Sequence, residues 1–133
     1  MSSIRMQDVD GTGDEAEVTW EDQSRINTFS KLNTRLRGIK EKIEGLRTEK
    51  ETLDDLSTEL ELADEDEPVL YKLGESFLHL PHSKALKRLE NDQKDVEARL
   101  GQHLSQADAC EKEMRELKVV LYAKFGSSIN LDE

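Results

Sequence analysis

One cysteine, Cys110, excludes an intrachain disulfide framework and fits a reducing compartment. Two prolines leave long stretches of the 133 residues without a helix breaker. Aromatics make up 5% and hydrophobic residues 35% of the chain, against roughly 45–50% apolar in an average soluble domain, so a compact globule with a large core is a poor fit. Basic charge is also short: 19 Lys+Arg against 30 Asp+Glu give −11. Such a surface repels phosphate and carries no basic stripe, which argues against a nucleic-acid partner. No apolar run approaches the roughly 18 residues of a membrane span, and the amino terminus has no signal-peptide h-region. The expectation is a soluble cytoplasmic protein that spans no membrane.

What is present is charge and helix formers. Charged residues reach 37%, and Ala, Glu, Lys, Leu and Arg together supply 62 of 133 positions, close to the half-share of a long helix or coiled coil. Residues 1–17 carry Ser, Gly and acids without an apolar period and read as a flexible acidic arm. Thr19, with Glu21 and Asp22 after it, is a helix-capping signal. From there Phe29, Leu36 and Ile43 fall at a, and Leu32, Ile39, Leu46, Leu53 and Leu60 at d, with Lys50 and Ser57 interrupting the a series. This is a narrow coiled-coil seam. Gly38 and Gly45 fall on the outer face at c. Asp64-Glu65-Asp66-Glu67-Pro68 ends the pattern, which predicts a helix over about 19–64.

A second register places Leu86, Gln93, Leu100, Ala107, Met114 and Leu121 at a, with Leu89, Val96, His103, Cys110, Leu117 and Lys124 at d. Ser83 reads as its cap and Gly126 as its left-handed stop, giving a helix over about 83–125 and a tail over 126–133. Helices of about 43 residues reach about 65 Å, and lone stripes of that length must pair. Near-equal lengths let the two close on each other antiparallel. Between them, Val69–Leu80 is two apolar runs about Gly74-Glu75, a β-hairpin with a two-residue turn. In that register Val69, Tyr71, Leu73, Ser76, Leu78 and Leu80 share one pleat face, and Leu70, Lys72, Phe77 and His79 the other. The first face is nearly all apolar and is expected to lack cover within the chain. A two-stranded hairpin is marginal in water, so it points to assembly outside the chain.

Sharper chemistry finds little support. His103 and Cys110 are one heptad apart, about 10 Å, too far to share a zinc ion. His79 and His82 do not complete a ligand set, and Asp64–Glu67 lacks the spacing of an EF-hand. Gly11-Thr12-Gly13 has neither the strand nor the helix that frames a phosphate cradle. No nucleophile motif appears, so neither an enzyme nor a metal or cofactor is expected.

Helix, acidic stop, single hairpin and helix together resemble β-type prefoldin subunits. The resemblance is carried by Val18-Thr19-Trp20-Glu21-Asp22-Gln23 with Ile26-Asn27 and Phe29, by Tyr71-Lys72-Leu73-Gly74, and by Leu121-Tyr122-Ala123-Lys124-Phe125-Gly126 with Ile129-Asn130-Leu131. It covers about residues 18–131, with Gln93 and His103 in the seam as departures. It implies a mainly α fold: a long antiparallel two-helix coiled coil joined by a hairpin that contributes Val69, Tyr71, Leu73, Leu78 and Leu80 to an oligomeric β-barrel. It further implies a hetero-hexamer with two α-type and three further β-type subunits. Such an assembly binds unfolded or nascent polypeptides of the actin and tubulin type and delivers them, ATP-independently, to the cytosolic group II chaperonin. An antiparallel pair brings the start of the first helix to the end of the second, so Trp20, Ile26, Tyr122, Phe125 and Ile129 are the candidates for client contact at the coiled-coil tip. The alternative is a structural coiled-coil adaptor or tethering protein, which has no need of the apolar hairpin.

Overall fold

A computed structural model of the chain describes residues 17–73 and 75–131. The bulk of the acidic arm with its Gly11-Thr12-Gly13 run, the Gly74 turn position, the Leu73 side chain and the last two residues lie outside the described residues. The element order is α1 (Trp20–Leu62), β1 (Val69–Leu73), β2 (Ser76–Leu80), α2 (His82–Phe125) and a 3-10 turn, Gly126–Ser128.

Local chemistry sets each boundary. The Thr19 hydroxyl accepts the Asp22 backbone N–H at 3.2 Å, and the Asp22 carboxylate accepts the Thr19 N–H at 3.1 Å. This reciprocal capping box opens α1. The helix ends at Leu62, two residues before the acidic run suggests, because Asp64 folds the chain away. Its carboxylate accepts the Asp66 N–H at 3.0 Å and its carbonyl accepts the Glu67 N–H at 3.1 Å, a side-chain turn that competes with helix. The expected cap at Ser83 gives way to a start at His82. The Pro81 carbonyl already accepts the Ala85 N–H at 2.9 Å, and the His82 ring is held at 2.8 Å from the Leu60 carbonyl. A carbonyl only accepts, so Nε2 carries the proton and satisfies an acceptor in the last turn of α1. Gly126 adopts φ +55° and closes α2 in the left-handed conformation.

The described chain forms two compact units. One combines the residues through Glu41 with those from Ser105 onward. Its core is Ile26, Phe29, Leu32, Leu36 and Ile39 from α1 against Ala107, Cys110, Met114, Leu121 and Phe125 from α2, closed by Ile129 and Leu131. The helices run antiparallel there. The Cys110 thiol donates to the Leu32 carbonyl at 3.2 Å, Lys40 pairs with Glu111 at 3.9 Å, and Lys124 meets Asp22. Burial raises the Cys110 thiol pKa.

The other unit, Lys42–Leu104, holds the hairpin. Arg99 pairs with Glu49 at 3.5 Å and Gln93 donates to Asp54 at 3.3 Å, again antiparallel. The hairpin register is Val69↔Leu80, Tyr71↔Leu78 and Leu73↔Ser76, as the two-residue turn requires.

Seam positions and outer positions respond oppositely to substitution. Leu121 is fully buried, and Leu121→Ala is expected to cost about 2–5 kcal/mol through lost transfer energy and a residual cavity. A Cβ at Gly38 or Gly45 meets nothing within 4 Å, so Gly38→Ala and Gly45→Ala should each stabilise by about 0.8–1 kcal/mol. Urea unfolding followed by far-ultraviolet circular dichroism checks both signs.

Candidate functional site

The hairpin turns inward the face expected to lie open. Tyr71 is buried in a cluster with Leu60, Ala85 and Leu89, against which Val69, Leu80, Leu53, Leu56 and Leu86 pack. The Tyr71 hydroxyl donates to Asp92 at 2.5 Å, and the Arg88 guanidinium stands 6.0 Å from the ring centre. Burial, then the Asp92 bond, pushes the phenol pKa well above its ordinary value. The choice of face has a physical reason. Tyr71 buries its ring while its hydroxyl finds a carboxylate, whereas the opposite face would bury Lys72 and His79 without partners.

The correction to the expected lack of cover is therefore specific. Val69, Tyr71 and Leu80 pack within the chain, Leu78 on the same pleat face remains 45% exposed, and Leu70 at 52% and Phe77 at 58% are open on the opposite face. Among the described residues no third strand pairs with either edge. The result is an apolar, edge-open hairpin, the surface that strand addition or sheet stacking uses.

The second candidate surface lies in the other unit, where the start of α1 meets the end of α2. Asp22 is 2% exposed and accepts hydrogen bonds from Lys124 and, at 3.1 Å, from Arg25. The Lys124 bond chiefly, with the two Thr19 bonds, outweighs desolvation and holds the Asp22 pKa down at about 2. Neither member of this pair was assigned to the other from sequence, yet a signal exists. One heptad before Phe29 is Asp22, an a position, and Lys124 is the d position that follows Leu117. The ion pair is the seam's terminal layer.

Of the five residues named for client contact, this packing buries three. Ile26, Phe125 and Ile129 are each 5% exposed or less, because Gly126 turns the chain and lets Ile129 and Leu131 close over the helix ends. Trp20 is 83% exposed and Tyr122 is open to solvent. Sequence reasoning passed over Val119, which is 70% exposed. With Leu121 at a, Val119 falls at f and Tyr122 at b, outer positions away from the seam, where an apolar residue has no packing role. Val18 and Val120 are exposed as well. Among the described residues no group of three or more His, Cys, Asp or Glu converges on a metal position, and no helix is long and apolar enough to cross a membrane.

The comparisons with known proteins agree with one another. The family model described as Prefoldin subunit matches residues 23–128. The chain is 42% identical over 122 residues to Prefoldin subunit 4 of Saccharomyces cerevisiae (strain ATCC 204508 / S288c), which covers 92% of this chain and 95% of that one. It is 32% identical over 120 residues to Prefoldin subunit 4 of Homo sapiens, with 90% of each chain covered. The crystal structure of the prefoldin beta subunit from Thermococcus strain KS-1 superposes with a TM-score of 0.73, over 84% of this chain and 98% of that chain. At 15% identity that last match is a likeness of fold.

The ion-paired layer has a defined acid response. Because the folded Asp22 pKa lies near 2, below its ordinary 3.8, the stabilisation it brings is complete above about pH 4 and is lost as pH falls through about 2. The stability difference between the parent chain and Asp22→Asn should follow that course. At neutral pH, Asp22→Asn, Lys124→Met and the double substitution should be non-additive, the double costing less than the sum, as read from urea midpoints.

Proposed function

The chain belongs to the prefoldin subunit family, and from that premise we propose that it serves as a β-type subunit of a hetero-hexameric prefoldin with two α-type and three further β-type subunits. The family is one of chaperone-complex subunits, not of enzymes. In this reading the hairpin joins an intersubunit β-barrel through its open edges and its exposed side chains, Leu70 and Phe77 on one pleat face and Leu78 on the other, while Val69, Tyr71 and Leu80 anchor it to its own helices. The assembly works in the cytoplasm without nucleotide, metal or cofactor. It captures unfolded or nascent chains of the actin and tubulin type and passes them to the cytosolic group II chaperonin.

The observation that carries the client reading is the exposure of Trp20, Val119 and Tyr122, apolar side chains left in solvent at positions with no seam role where the start of α1 and the end of α2 meet. Non-directional apolar contact suits clients that share exposed hydrophobic surface and no common motif. Ile26, Phe125 and Ile129 then act one step back, as the packing that holds these helix ends together.

Assembly and capture separate by mutation. Leu70→Asp with Phe77→Asp would bury unpaired charge in the barrel and should abolish hexamer formation on size-exclusion after co-expression with partner subunits. Complex at unchanged yield would remove the hairpin from the interface. Replacing Trp20, Val119 and Tyr122 together with Ser should leave hexamer mass and helicity intact and weaken suppression of denatured-client aggregation about twofold to tenfold at limiting complex, the other subunits masking part of the loss. Phe125→Ser should behave differently, lowering stability by about 3–5 kcal/mol as loss of a buried aromatic does.

A further inference from the structure

Resting on the assembly reading of the hairpin, we propose that the free edge of β1 is a strand socket that selects its partner by charge. An extended strand of a different subunit pairs with Leu70 and Lys72, seats an apolar side chain against Leu53 and Leu56 of α1, and brings a carboxylate to Lys72. The register carries the first step. Residues that flank a two-residue turn exchange their backbone bonds, and every second pair after them does the same. The Leu73↔Ser76, Tyr71↔Leu78 and Val69↔Leu80 pairs are therefore spent on each other, and Leu70 and Lys72 turn their N–H and C=O groups away from β2. Among the described residues no third strand answers them.

The space beside that edge is already shaped. A groove of about 470 Å³ adjoins β1 and no residue of β2; Tyr71 and Lys72 line it from β1, and Thr48, Thr52 and the half-buried Leu53 and Leu56 from α1. Its other polar groups are satisfied from within. Thr48 and Thr52 donate to the carbonyls of Glu44 and Thr48 at 3.2 and 3.1 Å, Glu49 pairs with Arg99 at 3.5 Å, and Asp92 accepts from Tyr71 and meets Arg88 at 3.8 Å. What remains is apolar surface and one cation, since Lys72 forms no ion pair among the described residues, Glu75 in the turn included. A strand added about 4.8 Å from β1 alternates its side chains between the two pleat faces. One that lies beside Tyr71 enters the groove, and one that lies beside Lys72 meets its ammonium, where an opposite charge is favoured and a covered cation without one is costly.

The chain cannot supply this partner to itself. Neither Val69–Leu73 nor Ser76–Leu80 contains an Asp or Glu, so the hairpin of a second copy would set Lys72 against a neutral or basic strand. The edge fits the strand of a different subunit that carries an acid.

Zero-length coupling with a carbodiimide joins an amine only to a carboxylate in contact with it. In the complex assembled by co-expression with other prefoldin subunits, Lys72 should couple to an Asp or Glu in a hairpin strand of another subunit, as mapped by mass spectrometry. Lys72→Arg should assemble normally and lose the coupled peptide, whereas Lys72→Glu should lower the yield of complex about fivefold on size-exclusion, the scale of an inverted cross-strand charge pair. Thr48→Arg with Thr52→Arg fills the groove from exposed helix positions, where Arg suits a helix at least as well as Thr, and should lower the yield likewise while the urea midpoint of the isolated chain holds. Coupling of Lys72 only within its own chain or to a second copy would overturn the socket. So would full yield of complex from the groove-filled variant. If Leu70→Asp with Phe77→Asp still abolishes the complex in either case, the hairpin remains the assembly element and the socket alone falls; if that variant also assembles at full yield, the assembly reading falls with it.

Discussion

A narrow apolar seam, two positions in seven on each helix, is the constraint on which the rest of the structure depends. Neither α1 nor α2 has an apolar face wide enough to build a core alone, so each must spend its stripe on the other. In both compact units the result is the same antiparallel layering. Phe29, Leu36 and Met114 fill it in one unit, and Leu46, Leu60 and Val96 in the other. Charged residues flanking the seam reinforce the pairing, as with Lys40 and Glu111 or Arg99 and Glu49. These exposed pairs add little stability singly, and their larger effect is to favour one alignment of the helices over its neighbours.

Because the seam is thin, the way each unit finishes it matters. Polar layers do that work in both. In one, Asp22 and Lys124 occupy the last a and d positions, and the same Asp22 carboxylate completes the capping box of α1. In the other, the His82 ring satisfies the Leu60 carbonyl, and the Tyr71 hydroxyl meets Asp92 while its ring covers Leu60 and Leu89. Each arrangement ties two elements distant in sequence through a directional bond that apolar contact alone lacks. A buried charge or hydroxyl that finds its partner in only one arrangement is costly in every other, so these residues specify pairing as much as they stabilise it.

The candidate surfaces follow from what the seam leaves unused. A two-stranded hairpin offers one pleat face to its own helices and keeps the other, so Leu70 and Phe77 are exposed because Tyr71 and Val69 are not. The same division applies on α2. Leu121 and Phe125 pack, while Val119 and Tyr122, on the far side of the same helical turns, do not. These are the surfaces on which the proposed client and assembly contacts rest, left open because the folded chain has no alternative burial for them.

The sequence by itself determined the period of both helices, the hairpin and its register, the acidic stop, the left-handed Gly126 and the seam residues in order. All of these are set within a few residues of chain, by spacing, capping groups and turn chemistry. It also named candidate residues for client contact and for assembly on particular elements. What it misjudged was which of them face water: the hairpin face expected to lie open is the one that packs on the helices. Heptad and pleat parity sort side chains into faces, but which hairpin face turns inward was decided by Asp92, Leu60 and Leu89, residues that come near Tyr71 only in the folded chain. In the same way the fates of Ile26, Phe125 and Ile129 were decided by the turn at Gly126 and the layer beneath it. Local periodicity ranks the faces of an element by polarity. Only tertiary structure supplies the partner that makes one of them the buried face, because the cost of burying a polar group depends on what it meets there.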